Sequence, residues 1–404
     1  MKVEPRTLKG FRDFLPREVK KRQYVLEILK KVFESYGFEP LETPALEYDE
    51  ILTGKYGDEG EKLMYRFEDN GRRKVAMRYD QTVPLARVVA QYQNEVQLPF
   101  KRYQIQNVWR AENTQRGRYR EFLQVDADIV GTYSSLADAE IIATAKKCLE
   151  ELGFRNFKIL VNDRFIFNNL SLPEFESLTE PELGPFIRSL DKLKKIGEEK
   201  VLEELIQSGF EKERAKTILQ VVQNQKTPTG LSEVFSAAEN LGVKKNDIQF
   251  LPTLARGLDY YTGMIFEIEV EGFNAGSVAG GGRYDNLIGI FAGRDIPAVG
   301  FSFGFDRLME AMEALSLFPN KFSVTKVLVT YNKYAPEIGQ TLRENDINAE
   351  VYPDEKDLEK QLKYADKKNV PYVMFLNGDS FILKDMIKQS QEELPLEEII
   401  KKLK

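Results

Sequence analysis

The sequence predicts an α+β protein: an antiparallel-sheet domain interrupted by a helical block, followed by a small α/β domain. Three observations predict it. Residues 103–131 alternate with period two on both sides of a short loop, the pattern of a paired antiparallel ribbon. Residues 171–250 carry Leu, Glu and Lys at helical spacing. From about residue 324, strand and helix patterns alternate at the spacing of βα units, which implies a partly parallel sheet.

The 404 residues suggest two or three domains, each able to bury a core. We place them at 1–320, with the helical insertion at about 171–250, and at 324–404. The chain has 58 Lys and Arg against 64 Asp and Glu, a net charge of −6. That argues against sequence-blind coating of nucleic acid, which needs a strongly basic domain, but leaves room for a structured RNA on a local basic patch. There is no histidine. Ser-His-Asp and Cys-His catalytic units and His-assisted zinc sites are therefore excluded. A general base must be a carboxylate, a Lys, a Tyr or the substrate itself. The lone Cys148 excludes an internal disulfide and reads, within IIATAKKCLEELGF, as a buried structural thiol. A single cysteine fits a reducing compartment. No apolar run reaches the ~18 residues of a membrane span, and the N-terminus lacks the apolar centre of a signal peptide. The expected location is the cytoplasm, with no membrane partner.

The elements follow in order. Val25, Ile28, Leu29, Val32 and Phe33 recur at helical spacing within 18–36, and Gly37 supplies the stop. Residues 38–46 are extended but contain Pro40 and Pro44, which cannot donate to a ladder, so an edge strand or interface segment is expected. In YQIQNVWRAE and RYREFLQVDADIV the odd positions are largely apolar (Tyr103, Ile105, Trp109, Leu123, Val125, Ala127, Ile129). The even positions hold Gln104, Gln106, Arg110, Glu112, Arg118, Arg120, Gln124, Asp126 and Asp128, with Phe122 among them. A polar stripe on an antiparallel pair ordinarily faces water. This one contains an aromatic ring and sorts its charges, arginines near the loop and carboxylates beyond, which a plain wet face has no reason to do. A helix over 136–153 and strands at 157–163, 263–271 and 298–303 follow, with a glycine-dense stretch before the last and a helix after it. In the final domain Lys360, Lys363 and Lys367 share one helix face, which suits phosphates or solvent equally.

There is no P-loop and no dinucleotide-binding glycine fingerprint, so arginines must hold any bound phosphate. Arg110 and Arg118 offer guanidinium forks for phosphate oxygens, and Phe122 a ring on which a base can stack. Gln124 and Asp128, further along the same face, can accept hydrogen bonds from an amine. The face reads as a trough with phosphate at one end and an amine at the other, as activation of an amino acid by ATP requires.

The hairpin VWRAENTQRGRYREFLQ resembles motif 2 of class II aminoacyl-tRNA synthetases in its histidyl form, and TLARGLDYYTGMIFE (253–267) resembles the signature peptide of histidyl-tRNA synthetases. AVGFSFGFDRLMEAM resembles motif 3, FESYGFEPLETPALEY the dimer-interface motif 1, and KQLKYADKKNVPYVMFL the anticodon-binding domain. KGFRDFLP and MRYDQTVPLAR match the same family. The resemblance implies a six-stranded antiparallel catalytic sheet with a helical insertion, an α/β anticodon-binding domain and a homodimer. It implies formation of histidyl-adenylate from L-histidine and ATP, then transfer to the 3′ end of tRNA(His). Mg²⁺ would enter with ATP, and no prosthetic group or His- or Cys-bound metal is expected. By resemblance, Asp80, Gln81, Thr82, Gln124, Asp128, Arg256, Tyr260, Tyr261 and Tyr284 bind histidine. Arg110, Glu112, Arg118, Phe122 and Arg307 bind ATP, with Arg110, Arg256 and Arg307 catalytic. Arg256 would stand across the α-phosphate from Arg110. The alternative is a catalytically silent paralogue that serves as a regulatory subunit of ATP phosphoribosyltransferase. That type tends to lack the anticodon-binding domain and the Arg256 peptide, and both are present here.

Overall fold

The computed structural model describes residues 3–404 except 115–116, 169, 171, 173–176, 256–259, 320–322 and 378–379. It divides into two compact units, Met1–Asp13 with Val25–Leu317, and Phe14–Tyr24 with Phe318–Lys404.

The larger unit is built on an eight-stranded sheet: β1 (Glu39–Pro40), β2 (Phe100–Trp109), β3 (Glu121–Val130), β4 (Phe157–Asp163), β5 (Ile248–Phe250), β6 (Met264–Val270), β7 (Ala279–Arg283) and β8 (Ala298–Gly304). The spatial order is β1-β2-β3-β8-β7-β6-β4-β5. The inner six strands are antiparallel to one another. The two-residue β1 and the short β5 pair parallel to their neighbours at the edges, where Pro40 removes no central ladder bond.

The register of the hairpin sets what each face carries. Arg102 lies opposite Asp128, Gln104 opposite Asp126, Gln106 opposite Gln124 and Val108 opposite Phe122. Even positions of both strands therefore share one face. The odd face packs on helices. Phe33 of the Pro16–Ser35 helix stacks on Tyr103 at 5.4 Å between ring centroids and meets Phe301 of β8 edge-on at 6.2 Å. The Ser135–Glu151 helix starts at Ser134, whose hydroxyl accepts the Leu136 N–H, and it buries Cys148 completely.

Two features differ from the sequence reading. The glycine-dense stretch contains β7, a fully buried strand. Its Gly280-Gly281-Gly282 core has no side chains to alternate, so periodicity cannot reveal it. A Cβ on Gly281 would lie 2.1 Å from the Gly300 carbonyl oxygen, so close strand packing requires the bare backbone. Within the helical block, Phe186, Val201, Leu205, Ile218 and Val222 join the first three helices (Glu180–Leu190, Leu193–Gln207, Lys212–Gln223) in one apolar core. The fourth, Thr229–Asn240, packs instead on the Ser135–Glu151 helix, and β5 at 248–250 completes the main sheet.

The smaller unit has a five-stranded sheet. Ala349–Val351, Val327–Val329 and Tyr372–Asn377 run parallel, with Val327–Val329 in the middle. Ser380–Asp385 and Ser390–Glu393 then fold back antiparallel before the terminal helix Leu396–Leu403. The sequence reading missed these last two strands. Lys360 and Lys363 lie exposed and pair with Asp357 and Glu359 of their own turn.

Candidate active site

A cavity of about 350 Å³ opens on the even-numbered face of the hairpin and is lined also by residues of β6, β7, β8 and their flanking segments. At one end are Arg110, Glu112, Arg118, Phe122 and Arg307. Arg110 follows β2 directly. Its Nε donates to the Tyr79 carbonyl at 3.1 Å, and its guanidinium lies 4.4 Å from the Tyr79 ring centroid and 5.2 Å from that of Phe122. Two aromatic faces thus restrict an otherwise flexible cation. Arg118 approaches Glu112 at 3.4 Å. Arg307, in the first turn of the Phe305–Ala314 helix, donates to the Ser277 carbonyl at 3.3 Å. The neighbouring Asp306 is engaged by Arg12 at 2.7 Å, so the one acid in that turn is already paired with a different cation.

The other end is acidic and aromatic. Asp80 precedes the Thr82–Gln91 helix; its Oδ1 accepts the Tyr56 hydroxyl at 2.8 Å and the Val83 N–H at 3.2 Å. Burial raises its pKa above the ordinary carboxylate value, and these two bonds pull against the rise. Asp128 pairs with Arg102 at 2.7 Å and accepts the Tyr284 hydroxyl. Arg102 is completely buried and donates also to Gln104. A buried carboxylate needs such partners, because its desolvation is otherwise uncompensated. Asp126, between Gln124 and Asp128, is pushed up to about 7 by burial, with Asp128 and Asp80 adding to the rise and Arg102 and Ser302 opposing it. Tyr260 packs on Tyr261 at 4.9 Å and edge-on to Tyr284 at 5.8 Å. Burial holds the Tyr56, Tyr260 and Tyr284 phenols well above their usual pKa, so they act as neutral donors.

Backbone without side chains makes room for this floor. A Cβ on Gly300, opposite Asp128 in the register, would fall 1.9 Å from Asp128 Oδ1.

Of the residues singled out from sequence, Asp80, Thr82, Arg110, Glu112, Arg118, Phe122, Gln124, Asp128, Tyr260, Tyr261, Tyr284 and Arg307 line this one cavity. Gln81 does not. It is fully buried, and its amide donates to the carbonyls of Gln106 at 2.8 Å and Gln124 at 3.3 Å, tying the Asp80 segment to the hairpin. Arg256 lies outside the described residues. Sequence reasoning did not assign Arg102, Asp126, Glu267, Ser277 or Ser302 to the site. The alternation carried a signal for two of them: Asp126 shares the even face, and Glu267 lies with Glu269 on the face of β6 opposite the apolar row Met264, Phe266, Ile268 and Val270. Ser277 and Ser302 are visible only once β7 and β8 are known to be neighbours.

A family model described as histidyl-tRNA synthetase matches residues 10–308, and one described as an anticodon-binding domain matches 321–404. The chain is 42% identical to the histidine–tRNA ligase of Treponema denticola, over all of this chain and 98% of that protein. It is 39% identical to that of Cytophaga hutchinsonii, over 99% of each. It superposes on the crystal structure of histidyl-tRNA synthetase from Nostoc sp. PCC 7120 with a TM-score of 0.84 at 30% identity, over 99% of this chain and 100% of that one. The antiparallel catalytic sheet and appended α/β domain are those of a class II synthetase. On these grounds the chain belongs to the histidyl-tRNA synthetase family.

Proposed function

We propose that the cavity is where this histidine–tRNA ligase makes histidyl-adenylate. The observation that carries the reading is the division of one cavity into a guanidinium end and a buried acidic end, with the hairpin spanning both. Histidine occupies the acidic end. Asp80 takes its ammonium, Thr82, Gln124 and Asp128 surround its polar atoms, and Tyr260, Tyr261 and Tyr284 close around the imidazole. ATP occupies the other end, with adenine against Phe122, phosphates on Arg110 and Arg307, and Glu112 and Arg118 beside them. Arg256, whose role is carried over from the family resemblance, would contact the α-phosphate opposite Arg110.

The chemistry needs no protein base. The histidine carboxylate, already ionised, attacks the α-phosphorus; the new C–O–P linkage forms as the bond to pyrophosphate breaks. Negative charge gathers on the non-bridging oxygens, and arginines fixed before the event stabilise that charge more than the ground state. Mg²⁺ belongs to the ATP substrate and would neutralise the departing pyrophosphate. Buried groups that pair with an imidazole reject a ligand lacking it by roughly 10⁴–10⁵, so selection needs no separate editing step.

Residues 324–404 would recognise the anticodon region of tRNA(His), with 1–320 as the catalytic domain and about 171–250 as its insertion. A homodimer, formed through the motif 1 segment, and a cytoplasmic location complete the reading. Among the described residues no helix is long and apolar enough to cross a membrane. The test is ATP–pyrophosphate exchange across the twenty amino acids. Exchange driven by histidine alone is the expected result. Exchange with none of them overturns the proposal in favour of a regulatory paralogue.

A further inference from the structure

The acidic end of the cavity holds one carboxylate to which the reaction above gives no task. Asp126 stands on β3 between Gln124 and Asp128, on their face, opposite Gln104 of β2 and Ser302 of β8. It is 3% exposed, yet lines the cavity. Its neighbours have charged or hydrogen-bonding partners within the protein: Asp80 accepts from Tyr56 and Val83, and Asp128 accepts from Tyr284 on Oδ1 and is ion-paired with Arg102 through Oδ2. Asp126 has a hydrogen bond with the Ser302 hydroxyl, and its Oδ1 is buried with no partner. The Oε1 of Gln124, one step along the same face, is buried and unpartnered as well. Two adjacent acceptors stripped of water and facing a cavity are costly unless a ligand supplies the donors.

We propose that Asp126 is a further histidine-binding residue, whose Oδ1 accepts an N–H of the bound amino acid beside Asp128. The inference rests on the reading of this end as the histidine site. The charged and titratable groups facing Asp126 are Arg102 from β2, Asp128 on its own strand, Asp80 ahead of the Thr82–Gln91 helix, and Tyr260. Burial and the two acids outweigh Arg102, so the empty site holds Asp126 partly protonated near neutral pH. The positive ammonium of histidine favours the ionised form. Binding therefore expels a proton, and histidine affinity rises with pH between roughly 6 and 8. Free histidine titrates in the same range, at about 6.5, so a variant is needed to isolate the protein's share.

The experiment is histidine-dependent ATP–pyrophosphate exchange by the full chain and by Asp126→Asn, at pH 6 and pH 8. At pH 8 the variant should raise the KM for histidine about tenfold or more, with kcat and the KM for ATP within about twofold. Its KM should also lose the part of the pH dependence that free histidine does not account for. Ser302→Ala, which frees the other oxygen, should raise the histidine KM in the same direction by a smaller factor, and serves if the first variant does not fold. A histidine KM unchanged in Asp126→Asn overturns the proposal. So does a parallel rise in the KM for ATP with the pH profile intact, which marks a merely structural group. Wild-type protein with no histidine-dependent exchange would instead refute the histidine reading of the cavity.

Discussion

Gly300→Ala adds one methyl group where the floor of the acidic end of the cavity has no room to spare. The added Cβ would lie 1.9 Å from Asp128 Oδ1, 2.4 Å from its Cγ and 2.9 Å from the Ala127 carbonyl oxygen. Ordinary contact begins near 3.4 Å, so the carboxyl must retreat by about 1.5 Å. It cannot swing away cheaply, because Arg102 holds it at 2.7 Å from one side and Tyr284 from the other. Leaving Arg102 unpaired at zero exposure would cost about 3–5 kcal/mol. The lower-energy response is a shift of β8 against β3, which carries Ser302 and the β8 lining of the cavity with it. A displacement near 1 Å in positioned reactants costs on the order of 10²-fold in rate. The assay is steady-state ATP–pyrophosphate exchange with histidine varied at saturating ATP, then the reverse, on protein checked for native circular dichroism. The expected result is a fall of about 10²-fold in kcat/KM for histidine, with the KM for ATP within about threefold. A folded Gly300→Ala enzyme with native histidine kinetics would refute the placement of Asp128 at the histidine end.

Arg102→Met removes the cation beneath Asp126 and Asp128. Breaking this buried pair should destabilise the catalytic unit by about 3–5 kcal/mol, read as a lower urea midpoint. The sign with pH is fixed. Arg102 lowers the pKa of both acids, so its loss raises them further. A carboxyl with a raised folded pKa binds its proton preferentially in the folded state, so stability falls as pH rises towards that value. The midpoint gap to wild type should be wide at pH 8 and narrower at pH 5; a constant gap would contradict the pairing. Arg256→Ala should lower exchange by roughly 10²–10³ with circular dichroism unchanged, and retained activity would remove Arg256 from the reaction. Cys148 is fully buried, and burial pushes its thiol well above the usual pKa. Native protein should leave a thiol-reactive disulfide reagent unconsumed over minutes, and denatured protein should take up one equivalent at once.

Local pattern made much of the molecule legible. Alternation at 103–131 revealed the hairpin and sorted its faces, and the charge gradient along the even face anticipated a cavity with unlike ends. What local pattern could not supply was adjacency. β3 pairs with β8, and β6 with β4, so residues more than a hundred positions apart become neighbours. Ser302 beside Asp126 and Tyr284 on Asp128 follow from that order and from nothing in their own segments. Burial was the second hidden quantity. Arg102 reads like any strand-end arginine, yet it is among the most deeply buried side chains, because the acids it balances lie on the other strand of the same pair. Gln81 reads like a ligand contact within RYDQT, yet it is fully buried off the cavity lining, with its amide nitrogen donating to backbone carbonyls of the hairpin. The family motifs named the site residues; the register explains why those residues meet.

The most direct measurement is a crystal structure of the protein soaked with histidine and a non-hydrolysable ATP analogue. The account predicts the imidazole among Asp128, Tyr260, Tyr261 and Tyr284, the α-phosphate within hydrogen-bonding distance of Arg110 and Arg256, and the distal phosphates towards Arg307. A triphosphate bound elsewhere, or those arginines directed away from it, would contradict the account.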